Sequence, residues 1–226
     1  MWVKICGIRD SATARSVCEA RADAIGLNFY SPSPRCVERA VAREIAQKFG
    51  ESLEIIGLFV NHSLDEVLAT VDESGLQTVQ LHGDETPEFL AELASRRPDL
   101  RLLRAFRIDE SGCGVIAEYL AECDRLNVKL AGCLVDSHVA GEYGGTGHTA
   151  PWDLLADQYD AARWPPLIVA GGLHPANVAE AIRITRPFGV DVASGVESAR
   201  GVKDLELVRE FIAAAKSAGN SEQQLV

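Results

Sequence analysis

The chain has 226 residues, 47% of them hydrophobic, so it can bury one large core and a single domain is the default. Its 33 acidic and 22 basic residues give a net charge of −11, which disfavours binding to nucleic acid or to an anionic membrane surface. The six cysteines form no CxxC pair and have no regular spacing, so neither a metal site nor a disulfide framework is predicted. No apolar run approaches the ~18 residues of a membrane span, and reduced thiols fit a cytoplasmic protein.

Eight short apolar runs rich in Val, Ile and Leu recur along the chain. In order they are WVKIC, DAIGLNF, EIIGLFV, LQTVQL, LRLLRAF, LAGCLVD, PPLIVA and GVDVAS. Runs that are nearly continuous, rather than alternating, indicate strands buried on both faces, as in a parallel sheet. Helical patterns lie between them, for example SLDEVLATVDES, which opens with an N-cap serine, and PANVAEAIRIT, which has a proline near its start.

Eight strand and helix units without a long linker or a composition break predict a single (β/α)₈ TIM barrel, over residues 1–217, with a polar tail at 218–226. An open, doubly wound sheet is the alternative, but its first strand would more usually be followed by GxGxxG, and CGIRDS does not match that motif. The segment 108–127 is the least clear crossover, because DESGCGV resembles a loop before IAEYLAECDRL becomes helical.

In such a barrel the chemistry lies where the strands end, because there eight backbones converge on one open space. The strand ends carry several polar, reactive or glycine residues. They are Cys6 and Gly7, Asn28, Asn61, His82, Arg104 to Arg107, Asp136, Gly171 and Gly172, and Ser194 and Gly195. We therefore predict one active site at this rim.

The glycine-rich turns at the last strands are typical of phosphate binding. In AGGLHPANV and ASGVE, Gly171, Gly172, Ser194 and Gly195 allow backbone N–H groups to approach an anion. A third loop, EYGGTGHT, is predicted to close over the ligand, with Gly145 and Gly147 as further phosphate contacts. The alternative is that these glycines only make tight turns.

The candidate acid and base each have a structural alternative. Cys6 is either a buried apolar residue or a base once it is ionised. Asp136 either caps the glycine loop or acts as an acid, if its pocket raises its pKa. Asp191 either faces the pocket or only pairs with a neighbour such as Lys4. Arg35, in the stiff SPSPR loop, is either a surface residue or a bidentate partner for a carboxylate.

Seven motifs occur in the order and at the spacing of one family. They are KICGIRD, FYSPSPR, GLFVN, VQLHGDE, LVDSHVAGEYGGTGHTAPWDLL, VAGGLHPANV and GVDVASGVE. The chain resembles the phosphoribosylanthranilate isomerase family from about Val3 to Lys216. Each motif alone is modest, but the ordered set is specific. Where the family usually has GGTGKTFDW this chain has His148 and Ala150, and DVASG replaces the commoner DVSSG.

The resemblance implies an aldose–ketose isomerase of tryptophan biosynthesis, the third step from chorismate, without a metal or an organic cofactor. It implies that Cys6 is the general base, Asp136 the general acid, Arg35 the partner of the anthranilate carboxylate, and His82 a substrate contact. The expected partner is the small phosphosugar–anthranilate substrate, and the protein is expected to be a monomer or a homodimer. Two alternative hypotheses compete with this one. The first is the related histidine-pathway isomerase, which has aspartate in place of Cys6, and the second is a phosphosugar-binding barrel without activity.

Overall fold

The computed structural model describes residues 1–108, 112–136 and 152–223. Gly145 and Gly147, which the sequence predicts to bind phosphate, lie outside these ranges, as do His148 and Ala150.

Eight parallel strands form a closed barrel in sequence order, with the last strand hydrogen-bonded to the first. The strands are β1 (Trp2–Cys6), β2 (Ala24–Asn28), β3 (Glu54–Phe59), β4 (Thr78–Leu81), β5 (Arg101–Arg107), β6 (Gly132–Asp136), β7 (Leu167–Ala170) and β8 (Gly189–Val192). Each apolar run of the sequence contains one of them. The predicted (β/α)₈ barrel is therefore confirmed.

Helices cross between consecutive strands and a last helix follows β8. They are α1 (Ser11–Glu19), α2 (Arg39–Phe49), α3 (Leu64–Ser74), α4 (Pro87–Arg96), α5 (Gly114–Arg125), α6 (Trp152–Gln158), α7 (Val178–Thr185) and α8 (Leu205–Gln223). No helix in the described part of the chain is long and apolar enough to cross a membrane.

Two helix starts show how far local sequence determines a boundary. Ser63 caps α3 as predicted, and with Glu66 it forms a reciprocal capping box. The proline of PANVAEAIRIT lies in a turn before α7, because the Asn177 side chain accepts a hydrogen bond from the His174 N–H and closes that turn. The helix therefore begins only at Val178.

The last helix continues beyond residue 217, where the sequence predicts the barrel to end, and reaches Gln223. The division into a barrel and a polar tail stays a prediction. Between β8 and α8 lie a short 3-10 turn, Ser194–Val196, and a hairpin that the sequence did not predict, β9 (Glu197–Ala199) with β10 (Val202–Lys203).

A separate apolar cluster fills the inside of the barrel. Its members lie at alternate positions of the strands, as inward-facing residues must. They are Ala24, Ile56, Leu103, Ala105, Leu134, Ile168 and Ala170. Buried polar residues occupy inward positions of three strands: Lys4 on β1, Thr78 and Gln80 on β4, and Asp191 on β8. The barrel interior is therefore apolar along most strands, with polar side chains beneath the carboxyl ends of β1, β4 and β8.

Candidate active site

A cavity of about 770 Å³ lies at the carboxyl ends of the strands. Most of the predicted rim residues line it. They are Cys6, Asn28, His82, Asp136, Gly171, Gly172, Ser194 and Gly195, and the candidate residues Arg35 and Asp191 line it as well. The candidate base, the candidate acid and the glycine turns thus open into one space, as the sequence predicted. Within the described residues, no cluster of three His, Cys, Asp or Glu side chains is placed to hold a metal ion.

The remaining predicted rim residues, Gly7, Asn61 and Arg104 to Arg107, do not line this cavity. Arg104 is buried outside the barrel wall, where it donates to the carbonyl oxygens of Leu81 and Gly83 and lies over the Tyr119 ring. Its placement at the mouth was wrong, because alternation along β5 turns its neighbours inward and Arg104 outward. Asn61 has φ +54° and exchanges side-chain hydrogen bonds with the next loop at Asp84.

Cys6 ends β1 and is almost fully buried at the floor of the cavity. Burial raises the pKa of its thiol; Lys4 and Lys203 oppose that rise, and Asp191 adds to it. Gly26 leaves room for the sulfur, since a Cβ at that position would lie 2.7 Å from Cys6 Sγ. Because the pKa is raised, a thiolate formed here is a strong base.

Asp191 forms a buried ion pair with Lys4 and also lines the cavity, so both of its predicted roles are compatible with the structure. Lys4 Nζ lies 3.0 Å from Asp191 Oδ1, and the lysine is 0% exposed. Burial opposes the charge of Lys4, but Asp191 and Cys6 together raise its pKa, so the ammonium stays charged.

Asp136 and His82 lie next to each other on the other side of the cavity. His82 Nε2 is 4.0 Å from Asp136 Oδ2. Burial lowers the pKa of His82 to about 4, with further contributions from the charges of Lys4, Arg107 and Arg104. The ring is therefore neutral at pH 7, and it cannot act as a general acid in the form of an imidazolium.

Gln80 fixes the tautomer of this neutral imidazole. Its amide nitrogen is 2.9 Å from His82 Nδ1. An amide N–H can only donate, so Nδ1 accepts and the ring hydrogen is on Nε2. That N–H lies on the side of Asp136, which makes His82 a neutral hydrogen-bond donor beside the candidate acid.

Arg35 is held in place by Glu197. The Nε and Nη2 groups of Arg35 each donate to one carboxylate oxygen of Glu197 at 2.7 Å. The sequence predicted a bidentate partner for Arg35 but assigned it to the substrate, whereas in the structure this partner is Glu197. Lys203 Nζ also donates to Glu197, at 2.9 Å. Although burial opposes ionisation, these hydrogen bonds and one from the Gly201 N–H lower the pKa of Glu197 to about 2.

The glycine turns after β7 and β8 pack directly against each other. Gly171 and Gly172 have φ of +82° and +63°, a region that glycine adopts without strain. A Cβ at Gly195 would lie 1.8 Å from the Leu173 carbonyl oxygen, so a side chain there would push the turns apart. The turns thus require these glycines. Because glycine has no side chain, backbone atoms form this part of the cavity wall.

Sequence reasoning did not single out Gln80, Glu197 or Lys203, and it named Lys4 only as a possible neighbour of Asp191. The signal was present for two of them, because Lys4 and Gln80 are polar residues within otherwise apolar strands. Glu197 gave a weaker signal, since it closes the ASGVE turn that was assigned to phosphate.

Residues 3–214 match the family described as N-(5'-phosphoribosyl)anthranilate (PRA) isomerase. The chain belongs to this family. Relatives named N-(5'-phosphoribosyl)anthranilate isomerase include those of Geotalea daltonii and Myxococcus xanthus, each 44% identical, with 95% of this chain and 96% of the relative covered.

Solved structures of the family share the fold. The phosphoribosyl anthranilate isomerase of Thermotoga maritima has a TM-score of 0.82 and 34% identity, with 96% of this chain and 99% of that chain covered. A second structure contains reduced 1-(o-carboxyphenylamino)-1-deoxyribulose 5-phosphate; its TM-score is 0.77 and its identity 31%, with the same coverage.

Proposed function

We propose that this protein converts N-(5'-phosphoribosyl)anthranilate to 1-(o-carboxyphenylamino)-1-deoxyribulose 5-phosphate, an aldose–ketose isomerisation in tryptophan biosynthesis. The observation that carries the proposal is the single cavity that contains Cys6, Asp136, Arg35 and the two glycine turns, in a chain of this family. Oxidation at one sugar carbon and reduction at its neighbour occur within one molecule, so the reaction needs no external redox partner.

The two ends of the substrate are held by different groups. Gly171, Gly172, Ser194 and Gly195 are assigned to the phosphate, since backbone N–H groups in such turns bind anions at short distance. Gly145 and Gly147 stay predicted phosphate contacts. Arg35 is assigned to the anthranilate carboxylate, with Glu197 fixing its orientation. Binding at both ends places the sugar carbons between the acid and the base.

Asp136 acts first, as the general acid. Its carboxyl group donates a proton to the oxygen of the ribose ring, and the bond from that oxygen to the first sugar carbon breaks. The anthranilate nitrogen supplies the electron pair that replaces this bond, which gives an open chain with a protonated Schiff base. His82 Nε2–H, on the Asp136 side of the cavity, is assigned to hydrogen bonding with the substrate rather than to proton transfer.

Cys6 acts second, as the general base. The cationic Schiff base makes the hydrogen on the second sugar carbon acidic, and the Cys6 thiolate removes it. The electron pair of that C–H bond forms the carbon–carbon double bond of an enolamine and neutralises the nitrogen. The Asp136 carboxylate then takes the proton of the C2 hydroxyl group while the Cys6 thiol donates its proton to C1, which gives the ketone and returns both groups to their starting states. General acid and base catalysis of this kind is worth about 10²- to 10⁴-fold in rate for each group.

Turnover of the substrate by the purified protein, in buffer with a metal chelator, tests this function. We expect phosphoribosylanthranilate to disappear at a rate proportional to enzyme concentration. The competing function is a phosphosugar-binding barrel without catalysis. It would be supported if the protein bound the reduced product analogue but left the substrate unchanged, and our proposal would then fail.

Two further properties stay predictions. A cytoplasmic location rests on the cysteine pattern and on the biosynthetic role. The predicted monomer or homodimer can be decided by sedimentation of the purified protein; one related structure is described as that of monomers generated from the dimeric isomerase of Thermotoga maritima.

A further inference from the structure

We propose that Lys4 is a positioning residue for the reaction: its buried ammonium group provides the counter-charge that allows Cys6 to become a thiolate, and Asp191 holds that ammonium in place. The inference rests on the function proposed above, in which Cys6 is the base. It assigns a role to a lysine that the mechanism does not otherwise use.

Lys4 and Cys6 face the same space. They are two residues apart on β1, so both side chains point into the barrel. The Cβ position of Gly26, on the neighbouring strand, lies 2.7 Å from Cys6 Sγ and 3.2 Å from Lys4 Cε. The sulfur and the end of the lysine chain therefore share the gap that Gly26 leaves in the wall of the barrel.

The position of the ammonium is fixed. Lys4 is fully buried, and its Nζ is held 3.0 Å from Asp191 Oδ1 on β8, the strand that pairs with β1. The positive charge of Lys4 lowers the pKa of the Cys6 thiol, against the effect of burial, and the charge of a Cys6 thiolate in turn raises the pKa of Lys4. Burying a charged pair costs free energy of folding. A role as counter-charge to the neighbouring thiolate explains why the Asp–Lys pair is retained at this position.

The other charged groups around the thiol do not replace Lys4. Among the described residues they are Asp191 on β8, Lys203 on β10, Arg35 in the loop after β2, Glu197 on β9, the exposed Arg200 in the turn after β9, and His82 and Asp136 across the cavity. Arg35 and Lys203 are both bound to Glu197, which neutralises part of their charge. On β2, Gly26 and Asn28 carry no charge. Lys4 is thus the cation placed to compensate a thiolate at the buried end of β1.

The first test is the rate at which iodoacetamide alkylates Cys6 at different pH values, without substrate, with the modified cysteine identified by mass spectrometry. Only the thiolate reacts, so the profile reports ionisation. In Lys4→Met we expect the profile to move to higher pH by about one unit or more, which corresponds to about a 10-fold slower reaction near pH 8. An unchanged profile in the folded variant would overturn the proposal.

Asp191→Asn gives the opposite test. Without the carboxylate, the Lys4 ammonium is no longer neutralised by Asp191 and stabilises the Cys6 thiolate more strongly. We therefore expect the alkylation profile to move to lower pH. A role for the pair in stability alone predicts similar losses of stability in both variants and no opposite shifts. If Lys4→Met does not fold, the double variant Lys4→Met/Asp191→Asn removes both charges. We expect the alkylation profile of the double variant to lie at higher pH than that of the wild type. A profile identical to that of the wild type would overturn the proposal.

Turnover is measured in parallel. We expect kcat of Lys4→Met to fall by about 10-fold or more near neutral pH and to recover partly at high pH, while the affinity for the reduced product analogue stays within about 3-fold. Because alkylation does not depend on isomerase activity, a wild-type protein without turnover would refute the proposed function and leave the ionisation test standing.

Discussion

Arg35 and Glu197 are 162 residues apart in the chain, and two parallel hydrogen bonds of 2.7 Å join them at the edge of the cavity. The pair connects the proline-rich loop after β2 to the hairpin after β8. Gly201 allows the two segments to come this close, because a Cβ at that position would lie only 2.9 Å from the Pro34 carbonyl oxygen. The two segments thus form one wall, in which Glu197 fixes the orientation of the Arg35 guanidinium.

Glu197→Gln should weaken substrate binding more than it slows catalysis. A neutral amide cannot hold both nitrogens of the arginine fork as a carboxylate does, so Arg35 loses its fixed orientation. We expect KM to rise about 10-fold or more with a smaller change in kcat, measured by steady-state kinetics. Glu54→Gln is the matched control, since Glu54 also pairs with an arginine, Arg101, but at the opposite end of the barrel. Equal KM values for both variants would refute this role.

His82 should make stability depend on pH between about 6.5 and 4. Its pKa is about 4 in the folded protein and 6.5 as the ordinary value, so in this interval the unfolded chain binds a proton that the folded chain does not. The free energy of unfolding therefore decreases as the pH falls, and the contribution of His82 reaches about 3 kcal/mol at pH 4.

Urea unfolding at several pH values measures this slope. His82→Asn should reduce the slope relative to the wild type, because the titrating group is gone. His174→Asn, at an exposed position, should keep the wild-type slope. A His82→Asn protein with an unchanged slope would show that the ring is not held neutral by the fold.

Gly195→Ala should weaken binding of the phosphate end of the ligand. The added methyl group collides with the Leu173 carbonyl oxygen and separates the two turns. Calorimetric titration with the reduced product analogue and with its dephosphorylated form gives the contribution of the phosphate. We expect this contribution to fall at least about 10-fold in the variant. Gly75→Ala, at φ +69° in open space after α3, should lower stability but leave both affinities unchanged.

Gly26→Ala should impair catalysis because its methyl group would occupy the space of Cys6 Sγ. We expect kcat to fall about 10-fold or more, since small displacements of a reacting group have large effects on rate. Gly57→Ala is the matched control: it meets Leu76 Cδ1 at 2.7 Å, away from the cavity lining, and should reduce the melting temperature but not kcat. A Gly26→Ala enzyme with full activity would argue against the tight placement of the thiol.

The barrel could be predicted from the sequence because its signal is local. A parallel strand buried on both faces must be apolar along its length, so WVKIC or PPLIVA can be recognised without knowledge of its neighbours. The placement of Cys6, His82 and Asp136 follows from the same rule, since each stands at the end of such a run.

Partnerships between distant residues could not be predicted in this way. Glu197 takes the fork of Arg35 only because a hairpin of two short strands folds against the loop after β2, and nothing near either residue indicates that approach. Arg104 was misplaced because the phase of β5 relative to the barrel axis depends on packing with β4 and β6. Local sequence thus indicates which residues lie at the strand ends, and tertiary packing determines which way they face and which partners they meet.

The thiol of Cys6 on β1 and the carboxyl group of Asp136 on β6 are proposed to act on one substrate from the same cavity. The most direct measurement is kcat of Cys6→Ala and of Asp136→Asn, with the affinity of each for the reduced product analogue determined on the same preparations. We expect turnover to be lost in both variants while affinity stays within about 3-fold of the wild type. Substantial turnover in either variant would contradict the proposal.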